Sequence, residues 1–182
     1  MKKNDEVFIS VDVEAAGPIP GKYSLLSIGA CLTSDTDIGF SCELKPVSTE
    51  FVPEALEVTG FSLEKLKIEG LPPTEAMQAF KDWVDMVTAP SQTPVFVGLN
   101  APFDWAFVNH YFHIYLGENP FGFTALDIKA LFMGMHGTSW SKTRSSHMAA
   151  SLSVPVTGDH NALRDAIYQA KLFNAIRKPV KD

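Results

Sequence analysis

Two carboxylates, Asp12 and Glu14, stand one residue apart in the stretch Val7-Phe8-Ile9-Ser10-Val11-Asp12-Val13-Glu14. Val7, Ile9, Val11 and Val13 alternate with Phe8, Ser10, Asp12 and Glu14, and β-branched residues dominate, so the stretch reads as a β-strand. Side chains two apart on a strand share a face. Asp12 and Glu14 are therefore expected to project side by side, near the point where Gly17-Pro18 ends the strand. Carboxylates that close repel each other unless a shared proton or a cation sits between them. A hard divalent ion such as Mg²⁺ or Mn²⁺, which takes oxygen ligands, reconciles them most simply. Taken alone, the motif reads more readily as a strand whose acidic end faces water.

Two further segments carry acids. Asn100-Ala101-Pro102-Phe103-Asp104 follows an apolar strand-like run and opens a helix. Asp104 is then an acid in a first helical turn, which the helix dipole favours on its own account. Asp159-His160-Asn161-Ala162-Leu163-Arg164-Asp165-Ala166 adds a histidine and another acid. Five positions along a continuous helix would turn His160 and Asp165 well apart. If Asp159 or Asn161 caps the helix, His160 lies in the entering loop and can lean over the same pocket as Asp165.

These acids depend on the elements that carry them. After the first strand, the turn-rich link 15–21 leads to a buried strand at 25–32 and, through Asp35-Thr36-Asp37, to a third at 39–44. Three short strands joined by turns predict an antiparallel meander. Short helices are predicted at 53–59, ending at Gly60, and at 62–66, opened by Ser62. A longer amphipathic helix is predicted from Glu75 to Val87, with Thr74 as its N-cap and Ala76, Met77, Phe80, Trp83, Val84 and Val87 on its apolar side. A strand at 95–99 and a helix with Phe103, Phe107, Tyr111 and Tyr115 on one stripe come next. Residues 124–132 read as either a last strand with Asp127 near its middle or a helix start, and 133–151 read as loop. A helix over 163–176 closes the pattern. The order predicts an α/β domain spanning 1–182, with a core of about 7–176 and helices packed on a mixed sheet. In such sheets, sites form at strand ends and the loops beyond them.

The ordered set of motifs resembles the DEDDh 3′–5′ exonucleases of the ribonuclease-H-like superfamily, and is similar to DnaQ-like proofreading domains, ribonuclease T and oligoribonuclease. The resemblance rests on Asp12-Val13-Glu14, on Asn100 to Asp104 and on His160 to Ala166, with Pro53 to Phe61 similar to the family's loop before its second motif. It implies a ribonuclease-H-like mixed sheet, an antiparallel meander plus parallel strands. It further implies that Asp12, Glu14, Asp104 and Asp165 hold two Mg²⁺ or Mn²⁺ ions, and that His160 is the general base. Two ions can stabilise both the attacking and the leaving oxygen of a displacement at phosphorus, and an imidazole exchanges protons near neutral pH. The implied reaction releases nucleoside 5′-monophosphates from the 3′ ends of single-stranded DNA or RNA. The alternative is a catalytically silent module that binds nucleic-acid ends within a polymerase or repair assembly, and the intact set of five residues weighs against it. Ala15, Phe61 and Asn100 are the candidates for substrate contact. Where many members carry threonines after the first motif, this chain has Ala15-Ala16, which removes a hydroxyl. The resemblance also implies a homodimer.

Composition narrows the class. The 182 residues are 46% hydrophobic and 20% charged, which suits one globular domain and excludes a disordered chain. A net charge of −6 argues against a broad electrostatic grip on a long polyanion, so contact with nucleic acid should be local and metal-mediated. Cys31 and Cys42 have no metal-type spacing and form no disulfide framework. Together with an N-terminus lacking an apolar signal region and no run long enough to span a membrane, they point to the cytoplasm. His110 and His113 read as ordinary surface or core histidines. Lys142 and Arg144, with Arg177, Lys178 and Lys181 near the end, are read either as phosphate contacts or as solvated charges.

Overall fold

The computed structural model describes residues 6–157 and 159–177. Its elements run β1 (Glu6–Ala15), β2 (Leu25–Leu32), β3 (Gly39–Glu43), α1 (Pro53–Thr59), α2 (Leu63–Glu69), α3 (Pro73–Val87), β4 (Thr93–Gly98), α4 (Ala101–Tyr115), β5 (Ala125–Asp127), α5 (Ile128–His136), a 3₁₀ turn (Trp140–Lys142), α6 (Ser145–Leu152) and α7 (Ala162–Arg177). The strands form one five-stranded sheet in the order β3-β2-β1-β4-β5. β1, β2 and β3 pair antiparallel, whereas β4 and β5 join parallel. The predicted meander plus parallel strands is therefore the observed mixed sheet.

The alternation in β1 sorts its side chains to the two faces. Ile9, Val11 and Val13 are buried in a core with Ala76, Phe80 and Val84 of α3 and Phe107, Val108 and Tyr111 of α4. The opposite face is covered by α5, α6 and α7, where Phe8 and Val97 pack with Ile128, Phe132, Met148, Leu172 and Phe173. Trp83 packs against the rings of Phe40 and Phe80, as a core residue.

Three local expectations are corrected. α3 starts at Pro73 with Pro72 at the cap, not at Glu75 behind Thr74, because a proline's fixed φ suits a first helical position. Residues 124–132 are both alternatives at once: Ala125–Asp127 is a strand, and Asp127 caps α5 by accepting from Ala130 N–H at 2.7 Å. The segment 133–151 holds the end of α5, the 3₁₀ turn and most of α6 instead of loop. α6 lacks strong periodicity, and it is held by burying Met148 and Ala149 beneath α7. Arg177 lies over the rings of Phe8 and Phe173, at 4.4 and 4.9 Å, which gives it a packing partner. Lys178 and Lys181 lie outside the described residues.

Candidate active site

β1 outruns its parallel neighbour. β4 leaves the sheet after Gly98, so the end of β1 has no strand on that side, and Val13 N–H donates to Asp104 Oδ1 at 3.0 Å. That bond carries Asp104, only 4% exposed, to the residue between Asp12 and Glu14. The turn that makes it possible is fixed at Asn100, whose φ of 65° is left-handed, a conformation asparagine tolerates. Asp127 holds the same turn from below: its Oδ2 accepts from Ala101 N–H at 2.8 Å while its Oδ1 caps α5. One carboxylate thus anchors the starts of two helices.

α7 supplies the rest. Asn161 Oδ1 accepts from Arg164 N–H at 3.1 Å, so asparagine caps the helix and His160 stays in the entering loop, with a left-handed φ of 58°. Asp165 Oδ1 accepts from Asp159 N–H at 3.2 Å, which folds that loop back over the first turn. Glu14, His160 and Asp165 each present a ligand atom, and these lie within 4.8 Å of one another. The entry of α7 comes this close to the sheet because Gly29 lies beneath it. A Cβ there would stand 2.1 Å from the Ala162 carbonyl carbon, and Gly29 is the cross-strand partner of Asp12.

All five residues line one cleft of about 390 Å³, with Asn100, Phe103, Ser145, Tyr168 and Gln169. Asp12, Asp104 and Asp165 all carry carboxyls raised above their usual range, and burial is the largest cause for each. For Asp12, the charges of Asp104, Glu14 and Asp165 add to burial, and the Gln169 amide opposes it. Burial and then Asp165 push Glu14 up to about 7, and Asp104 reaches about 8 despite the Val13 N–H. No lysine or arginine is among the described residues lining this cleft. Four crowded carboxylates with one imidazole and no cationic side chain form an oxygen-rich donor set that suits hard divalent ions.

A second cleft of about 720 Å³ shares His160 with the first as a lining residue. Phe61 forms part of its wall, beside Thr59, Ser27 and the Arg164–Asp159 ion pair of 3.0 Å. Ala15, in contrast, is buried in the main core and lines neither cleft, so its side chain is a packing residue here. Trp105 packs edge-on against Phe96, away from either cleft. His110 and His113 belong to no group of three or more potential metal ligands among the described residues.

The sequence reading missed Gln169, Phe103 and Asp127 as parts of the site. Phe103 falls on a helix stripe in the sequence pattern, and its position just before Asp104 is the available signal. Gln169 had one too, since it stands four residues after Asp165 and so shares its helix face.

Comparison with known proteins bears on the family and the fold. A family model described as exonuclease (RNase_T) matches residues 9–173. A 3′–5′ DNA exonuclease of Escherichia coli, Cap18, is 56% identical over 178 residues, covering 98% of this chain and 95% of that protein. The nuclease domain of 3′hExo, a DEDDh family member bound to rAMP, superposes with a TM-score of 0.77 at 16% identity, over 97% of this chain and 92% of that one. E. coli Exonuclease I in complex with a dT13 oligonucleotide gives 0.75 at 14% identity, over 95% of this chain and 41% of that one. At such identities the two structures speak to the fold.

Proposed function

Since this chain belongs to the exonuclease family and is a 3′–5′ exonuclease, we propose that it shortens single-stranded DNA, one nucleotide at a time. The observation that carries this reading is the convergence of Asp12, Glu14, Asp104, Asp165 and His160 on one cleft. DNA is favoured over RNA because the 56% identical relative is a DNA exonuclease.

Asp12, Glu14, Asp104 and Asp165 are the residues that would hold two Mg²⁺ or Mn²⁺ ions. When bound, such ions offset the four carboxylate charges and stabilise the attacking and leaving oxygens at phosphorus. His160 takes a proton from the attacking water as its oxygen bonds to phosphorus and the bond to the upstream 3′ oxygen breaks, and that oxygen takes up a proton from solvent. The products are a nucleoside 5′-monophosphate and a strand with a new 3′ hydroxyl. Phe61 offers a ring on which the terminal base can stack, in a cleft of a volume that suits a nucleoside. Asn100 stands at the rim nearer Asp104 and contacts the strand there. Burial pushes the thiols of Cys31 and Cys42 up to about 12, and both are free, which suits a reducing cytoplasm. Sedimentation would read the homodimer that the resemblance implies.

The test is digestion of 5′-labelled single-stranded DNA and RNA of matched sequence, in Mg²⁺, in Mn²⁺ and in EDTA, beside Asp12→Ala and His160→Ala. A ladder shortening from the 3′ end, absent in EDTA and in both variants, is expected, with DNA the faster substrate. A faster RNA ladder would reassign the substrate. No shortening by folded protein under any condition would leave the end-binding module.

A further inference from the structure

The chain carries 21 acids against 15 lysines and arginines, yet residues 128–157 contain no aspartate or glutamate and include Lys129, Lys142 and Arg144. This acid-free stretch folds as α5, the 3₁₀ turn and α6, and it reaches the catalytic cleft, which Ser145 and Val156 help to line. Lys129 Nζ lies 3.5 Å from Oδ1 of Asn100, another cleft residue, and 4.3 Å over the ring of Trp140. Trp140 itself is 54% exposed, and Arg144 is exposed immediately before Ser145. Lys142 instead borders a separate hollow with His136 and His147.

A single strand needs faces for its bases and cations for its phosphates, and an indole with a lysine beside it supplies both. We propose that Lys129, Trp140 and Arg144 form a track that holds the strand upstream of the two nucleotides that flank the scissile bond. The inference rests on the exonuclease reading above and adds where the remaining strand lies. Positions on the molecule order the strand. The terminal nucleoside sits by Phe61, the scissile phosphate at the acids, and the strand farther upstream on the α5–α6 wall. None of residues 128–157 lines the larger cleft. Charge complementarity selects this occupant, because it is a local basic patch on an acidic protein.

The test compares kcat and KM on a thymidine dinucleotide and on a thymidine oligomer of about twelve residues. Trp140→Ala should raise KM for the oligomer about five- to a hundredfold, the range of one lost base stack, and leave the dinucleotide unchanged. Lys129→Gln and Arg144→Gln should each flatten the slope of log KM against log salt for the oligomer by about 0.7. Equal losses on both substrates, or an unchanged KM for the oligomer in all three variants, would overturn the track while leaving the exonuclease reading intact. Wild-type protein inactive on both substrates would overturn the two together.

Discussion

Gln169 and Asp12, 157 positions apart, are joined by a hydrogen bond from Gln169 Nε2 to Asp12 Oδ1. The other end of the same amide, Oε1, accepts from Leu99 N–H at 2.8 Å. A side chain 3% exposed therefore ties β1 and the end of β4 to α7, the helix that carries Asp165. Gln169 is a positioning residue for Asp12. Gln169→Leu leaves the Leu99 N–H unpaired and should cost about 1–3 kcal/mol in thermal unfolding. It should also lower kcat about 10–100-fold, the usual effect of losing a group that orients a ligand, with a smaller change in KM. An unchanged kcat with a lowered melting temperature would show a purely structural role.

Gly29 decides whether the two halves of the site meet. Gly29→Ala would drive a methyl group into the Ala162–Leu163 peptide at 2.1 Å, and backbone has no rotamer by which to yield. The entry of α7 must lift away from β2, taking His160 and Asp165 with it. We expect a destabilisation of about 1–3 kcal/mol or more, together with loss of nuclease activity at temperatures where the protein is still folded. Gly134→Ala in α5 is the control. It meets nothing within 4 Å and should stabilise the helix by about 0.5–1 kcal/mol. Calorimetry and a nuclease assay on both variants separate packing from chemistry.

How much of this was legible in the sequence depends on whether a signal is local. The strand under Asp12 and Glu14 showed in a period of two, and the loop position of His160 hung on a cap at Asp159 or Asn161, of which the structure uses Asn161. The ordering of three acidic motifs pointed to one site through the family resemblance it carries. What stayed hidden acts across long separations. Nothing near position 169 says that its amide will meet Asp12, and nothing near Asp127 says that it will hold the start of α4. α6 was missed for a similar reason. Its serines and alanines carry little helical pattern, and contacts with α7 decide its conformation.

The crowded acids make stability depend on pH in a stated direction. Glu14 at about 7 and Asp104 at about 8 both lie above the roughly pH 4 of unfolded carboxyls, and Asp12 is raised as well. An acid whose folded value is raised takes up protons on folding, so its contribution is full below the unfolded value and is lost as pH rises through the folded one. Protein in EDTA should therefore melt at progressively lower temperature between about pH 5 and pH 8. Ions that bind the ionised carboxylates reverse the trend, so the gain in melting temperature on adding Mg²⁺ should grow with pH. A melting temperature that rises over this range in EDTA would contradict the crowding seen in the cleft.

His160 allows its chemistry to be tested apart from its backbone. Its φ of 58° is a conformation that asparagine adopts with ease and valine does not. His160→Asn should therefore keep the melting temperature of the wild type, whereas His160→Val should lower it. If the imidazole accepts the proton of the attacking water, the asparagine variant should lose about 10²–10⁴-fold in kcat, because an amide cannot take that proton. Strand binding should persist, since the proposed contacts at Phe61 and at the Asn100 rim are untouched. Turnover by His160→Asn within tenfold of the wild type would remove His160 from the role of base. The water's proton would then have to pass to another group in the cleft or to solvent.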